Sequence, residues 1–124
     1  MRWLVGSIDD WYLLFKRAYA CLKPGGWLES YEMSTVWESD DGSVGENTAL
    51  AQWGKFYVEG GRQSGRTFTV VYDDLQRKAM EAAGFVEIGE RDIKVTVLCL
   101  GTGVTMWLTG ACSNRSGAGP KTSG

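Results

Sequence analysis

Histidine is missing from all 124 residues of the sequence. Its absence excludes a Ser-His-Asp triad, a histidine general base, and the commonest zinc and non-haem iron sites. Cysteine is scarce. Cys21, Cys99 and Cys112 are odd in number and widely spaced, with no CxxC pair, so they read as reduced thiols rather than a disulfide frame. Charge of one sign is scarce too: 13 basic groups against 15 acidic ones leave a formal -2. No charge excess draws the chain to nucleic acid or to a membrane surface. The opening MRWLVGSIDDW holds no apolar stretch of signal-peptide length. The uncharged residues from Val95 to Cys112 reach the length of a membrane span, but four threonines and three glycines dilute them. The composition therefore fits one modest globular domain, soluble and intracellular.

What is present is a regular alternation. Trp11, Leu14, Phe15, Ala18 and Leu22 recur at helical spacing and predict a helix from about Ile8 to Leu22, capped by Ser7 or Asp9. Lys23-Pro24-Gly25-Gly26 ends it in a tight reversal. Trp27 to Met33 reads as a strand with Leu28, Ser30 and Glu32 on one face. A helix from Thr48 to Glu59, capped by Asn47 and ended by Gly60-Gly61, comes next. A third helix spans about Tyr72 to Ala83, with Gly84 as its left-handed cap. Phe85 to about Val97 reads as a strand interrupted near Gly89. The order helix, strand, helix, helix, strand predicts an α/β layered fold. From Cys99 to Gly124 there are six glycines and only two charges, Arg115 and Lys121. Residues 98–124 are set apart as a divergent tail, disordered from 113.

Leu22-Lys23-Pro24-Gly25-Gly26-Trp27-Leu28-Glu29, preceded by Leu4-Val5-Gly6-Ser7-Ile8-Asp9-Asp10-Trp11, resembles class I S-adenosylmethionine-dependent methyltransferases of the fungal LaeA-like group. Ser39-Asp40-Asp41-Gly42, Ala49-Leu50-Ala51-Gln52-Trp53 and Glu81-Ala82-Ala83-Gly84-Phe85-Val86 match that group in order and approximate spacing. The resemblance covers about Met1 to Val95. It implies that residues 1–97 form a partial Rossmann-like methyltransferase domain, with Trp27–Met33 as the family's fifth strand. The family's glycine-rich GxGxG turn and the ribose-binding acid after its second strand have no counterpart here. Gly101-Thr102-Gly103 is the only GxG on a strand-like run, and it lies at the wrong end. The family's closing strand, which lies between its fifth and sixth, also has no recognisable match after Val95. These departures imply that the fifth strand lacks both of its family neighbours and that the chain self-associates through unpaired edges.

By the same resemblance, Arg2 and Trp3 sit beside the cofactor, S-adenosylmethionine, at the end of the family's fourth strand. Glu32 and Trp37 are the substrate-side candidates, at and just past the carboxyl end of the strand. The plainer readings make Arg2 and Trp3 solvated terminal residues and Glu32 an edge charge. No metal site is expected, and no catalytic residue is assigned. Trp11, Trp27 and Trp53 are assigned to packing and Cys21 to a small buried hydrophobe; Arg62 and Arg66, flanking a glycine-bearing loop, read as ordinary exposed arginines, the alternative being contact with a phosphate or acidic partner. The implied function is that of a methyltransferase fragment, inactive as an isolated chain, with a small-molecule or protein acceptor. The alternative is a non-catalytic methyltransferase remnant that acts as an interaction module.

Overall fold

The computed structural model describes residues 1–99 and 102–114. Its elements run α1 (Trp11–Cys21), β1 (Trp27–Met33), α2 (Ala49–Ser64), α3 (Leu75–Ala83), β2 (Val86–Cys99) and β3 (Thr102–Asn114). The chain is mixed α/β, as its alternation predicts.

Helix α1 starts later than the periodicity suggests because the cap is Asp10, whose carboxylate accepts the Leu13 amide at 2.9 Å. Lys23 to Gly26 form a turn closed by the Gly26 amide on the Lys23 carbonyl at 2.9 Å, with Gly25 at φ +77°. Proline followed by glycine suits that geometry. Helix α2 begins after Thr48, not Asn47, and runs through Gly60-Gly61 to Ser64. Glycine weakens a helix interior by only about 1 kcal/mol, and here the packing overrides it. A Cβ on Gly61 would lie 2.4 Å from the Phe68 ring and 2.5 Å from the Arg66 carbonyl, whereas one on Gly60 would meet nothing. The helix stops at Gly65, and α3 stops at Gly84 with φ +96°, as its sequence predicts.

The sheet has the order β1-β3-β2, with β3 antiparallel to both neighbours. Strands β1 and β2 therefore run parallel to each other. The break expected near Gly89 is a register shift between Val86 and Gly89, with Glu87 at φ +56°. The expectation that β1 lacks both neighbours is corrected. On one side β3 pairs along its whole length, from Trp27 with Asn114 to Met33 with Leu108. On the other, residues 1–3 form a short parallel ladder with it: Met1 N to Glu29 O at 2.7 Å, Tyr31 N to Met1 O at 3.0 Å and Trp3 N to Tyr31 O at 3.1 Å. The sequence divergence after Val95 does not prevent pairing, because a ladder needs backbone amides and carbonyls rather than particular side chains. Residues 98, 99 and 102–114 complete β2 and form β3; the tail from 115 onward lies outside the described residues. Among the described residues no helix is long and apolar enough to cross a membrane.

The core is built by α1, α3, Val70 ahead of α3 and Phe85 just before β2. Phe15, Ala79 and Met80 are fully buried, and Trp11, Val70 and Phe85 nearly so. Burial of each large side chain contributes about 1.5–3 kcal/mol. Three assignments to packing fail. Trp27 and Trp53 are exposed, at 59% and 46%, and Cys21 is exposed at the end of α1.

Candidate functional site

The site forms where the chain leaves β1. Met33, Ser34, Thr35 and Trp37 carry the strand end over α2, and Gly54 lets the helix approach. A Cβ there would lie 2.7 Å from the Thr35 carbonyl. Trp37 stands between two hollows. The larger, about 520 Å³, lies between α2 and the 36–46 loop and is walled by Val36, Val44, Ala51 and Val58, with Glu46, Lys55 and Glu59 also lining it. The smaller, about 270 Å³, is lined by Trp3, Val5, Met33, Ser34, Thr35, Trp37, Trp53, Tyr57 and Phe68.

The aromatic rings of the smaller cavity form a connected set. Trp37 and Trp53 have centroids 5.9 Å apart, Trp53 and Tyr57 4.8 Å at 82°, and Tyr57 and Phe68 5.5 Å. Such tilted and edge-to-face pairs are the favoured aromatic geometries. Phe68 is held tightly: Cβ atoms on Gly6 and Gly61 would each fall 2.4 Å from its ring. Its carbonyl accepts the Thr35 hydroxyl at 2.7 Å. Ser34 donates its hydroxyl to the Val36 carbonyl at 3.0 Å.

Glu32 organises the other wall. It is fully buried on the inner face of β1, so the reading of it as a solvated edge charge is corrected. Its Oε2 accepts the Leu4 amide at 2.7 Å and the Val5 amide at 2.9 Å, and its Oε1 lies 3.0 Å from the Leu4 amide. This clamp turns the chain just past Trp3, whose backbone sits at φ +57°, a conformation that costs a non-glycine residue about 1 kcal/mol or more. Burial raises the Glu32 pKa above the ordinary carboxyl range, and the two amides and the N-terminal charge oppose that shift without cancelling it.

Of the residues singled out from sequence, Trp3 and Trp37 line the smaller cavity together, and Glu32 braces the segment that carries Trp3 and Val5. Arg2 lies apart from the cavity lining; its guanidinium is 6.0 Å from the centroid of the Tyr31 ring. The loop arginines are engaged within the chain. Arg62 pairs with Glu59 at 2.9 Å, while Arg66 pairs with Asp9 at 3.2 Å and donates to the Ser7 carbonyl at 2.9 Å. Tyr57 and Phe68 were not singled out as site residues. Tyr57 shares a helical face with Trp53, a legible signal, whereas Phe68 lies in a loop whose sequence carries no periodicity. Among the described residues no cluster of potential ligands could hold a metal ion.

The strand order, the turn after residue 3 and the cavity at the carboxyl end of β1 mark the same region as the sequence motifs. Similar proteins are found among fungal methyltransferases and regulators. The probable methyltransferase tdiE of Emericella nidulans is 47% identical over 53 residues, covering 43% of this chain and 17% of that protein. The methyltransferase pytC of Aspergillus terreus is 34% identical over 96 residues, or 77% of this chain and 29% of the relative. The secondary metabolism regulator laeA of Fusarium oxysporum f. sp. lycopersici is 32% identical over 100 residues, 78% of this chain and 31% of the relative. No family model matches, and no solved structure matches. Over about three quarters of its length the chain is similar to the fungal LaeA-like group of methyltransferases. It spans less than a third of the length of these relatives.

Proposed function

We propose that this chain is the acceptor-side part of an S-adenosylmethionine-dependent methyltransferase, and that it transfers no methyl group by itself. The observation that carries the reading is the sheet. A strand antiparallel to both neighbours lies between two mutually parallel strands, which is the family's relation of its closing strand to its fifth and sixth. In this reading β1, β2 and β3 are the fifth, sixth and closing strands, residues 1–3 are the end of the fourth, and the fold is the corresponding part of a Rossmann-like sheet. Ligands of such sheets bind at the carboxyl ends of the strands, and both hollows lie beside the segment that leaves the carboxyl end of β1.

The described residues fit part of the cofactor and not the whole. The aromatic cavity suits a flat or cationic group, but its lining contains no carboxylate for a ribose diol, and neighbouring Glu32 already serves two backbone amides. The cofactor supplies the methyl group. This chain's residues exclude water and hold the acceptor, with Trp37 as the wall shared by the two hollows. The alternative, an interaction module that pairs strand edges, has less to work with, since β1 is paired on both sides and the unpaired edge among the described strands is that of β2.

The test is equilibrium dialysis against tritiated S-adenosylmethionine. One sample is the chain alone; the other carries, ahead of Met1, a methyltransferase segment with a strand, a GxGxG turn and a helix. The expected result is saturable binding by the fused protein only. Binding by the chain alone would overturn the division of labour, and no binding by a folded fusion would overturn the methyltransferase reading.

A further inference from the structure

The smaller cavity is lined by five aromatic residues, by Val5 and Met33, and by the hydroxyl residues Ser34 and Thr35, with the Tyr57 phenol as a third hydroxyl and no charged side chain. Two of the three hydroxyls are committed as donors to backbone carbonyls, Ser34 to Val36 and Thr35 to Phe68. The cavity therefore offers a ligand mainly aromatic rings, and its remaining polar groups are the Tyr57 hydroxyl and the Trp37 indole N–H, which is buried without a hydrogen-bond partner. The rings stand at 42°, 82° and 46° to their neighbours, so they wall the space from several directions rather than stacking as one layer. Phe68 is fixed between Gly6 and Gly61, so the back wall is preorganised. Trp3 and Trp53, about half exposed, stand nearer the solvent. The buried Glu32 carboxyl lies behind Val5, which also lines the cavity. A hollow walled by electron-rich rings, with an acid behind one wall and no cation in its lining, favours a soft cation that surrenders its water easily.

We infer that this cavity is a cage for an alkylated onium group, a methylated ammonium or sulfonium, formed by Trp3, Trp37, Trp53, Tyr57 and Phe68. In a methyltransferase that chemistry has two sources, the sulfonium of the methyl donor or an N-alkylated acceptor. The biological identity of the onium rests on the reading above, but the binding itself does not.

The experiment titrates the full chain with 3-hydroxyphenyltrimethylammonium and with its uncharged isostere 3-tert-butylphenol, followed by the indole N–H signals in NMR. The expected result is a preference for the cation of roughly tenfold, the scale of a desolvated cation–π contact. In Trp53→Leu and Tyr57→Leu, which keep apolar bulk but lose a ring face, the preference falls to about twofold while the isostere binds nearly as before. Equal affinity for the two probes in the parent chain, or an unchanged preference in a folded Trp53→Leu variant, would overturn the inference. Trp53 is half exposed, so its variant folds even where Tyr57→Leu does not. Trimethylsulfonium and tetramethylammonium then separate the sources: tighter sulfonium binding assigns the cage to the donor, and tighter ammonium binding to the acceptor. Parity sustains an unselective onium cage. A chain that prefers the cation while its fused form binds no S-adenosylmethionine keeps the cage and loses the methyltransferase.

Discussion

The α1–α3 side and the α2 side of this molecule are built in different ways. On the first, large side chains fill the space: Phe15, Met80 and Ala79 have no exposed surface, and Trp11, Val70 and Phe85 almost none. On the second, the buried positions of α2 are glycines, Gly54 and Gly61, while its aromatic Trp53 and Phe56 are 46% and 72% exposed. Glycine lets the helix approach the Thr35 and Arg66 carbonyls, and the α2 rings of Trp53 and Tyr57 line a hollow instead of filling a core. The first side holds the buried side chains of the core and the second leaves an open hollow. A rigid core supporting a less filled rim is how a small domain carries a site without losing its fold.

Four changes break or sharpen this contrast. The largest effect belongs to Phe15→Ala, which opens a cavity in the filled side and costs about 3–5 kcal/mol. Chemical denaturation should show that loss, and onium binding measured where the variant is still folded should be unchanged. Gly61→Ala comes next, at about 1–3 kcal/mol, because its methyl must displace Phe68 or the Arg66 carbonyl. Unlike the core variant, it should weaken probe binding as well as lower the melting temperature.

Glu32→Gln tests the clamp between the two sides through pH. The folded-state pKa of Glu32 is raised above its ordinary 4.5, so its carboxyl binds a proton more readily folded than unfolded. The stability it contributes is therefore present below about pH 4.5 and lost as pH rises through the raised value. Asp41 and Glu59, held below the usual range by Ser43 and Arg62 respectively, act in the opposite sense but are common to both proteins. The difference in stability between the parent and Glu32→Gln should thus favour the parent more at pH 4 than at pH 8. A pH-independent difference would remove Glu32 from this role. The smallest effect is a gain: Gly60→Ala, one residue from the intolerant glycine, should stabilise by about 0.5–1 kcal/mol, since its Cβ meets nothing. Adjacent glycines with opposite signs would establish that packing, not helix propensity, sets the cost on this side.

Much of the frame was legible in the residue pattern. The strand Trp27–Met33, the proline-glycine turn before it, the Gly84 cap and the break near Gly89 all follow from local chemistry that the chain itself carries. What was not legible depends on distant partners. Gly60-Gly61 looks like a stop because two glycines weaken any helix locally, yet Phe68 and the Arg66 carbonyl need the second one where it is. Glu32 looks like a surface charge until residues 4 and 5 bring their amides to it. Trp27 and Trp53 look like core because large aromatics usually are, and their exposure depends on which face the sheet and α2 turn outward. The pairing of β3 was hidden for another reason. A backbone ladder can form under side chains that match no family pattern, so divergence after Val95 obscured a strand that the sheet uses.

The central claim, that this chain is part of a longer methyltransferase, is tested most directly by sequencing full-length transcripts from its locus through both ends. The account predicts an in-frame upstream segment encoding a strand followed by a GxGxG turn and a helix. A transcript whose reading frame begins at Met1 and ends at Gly124 would contradict it.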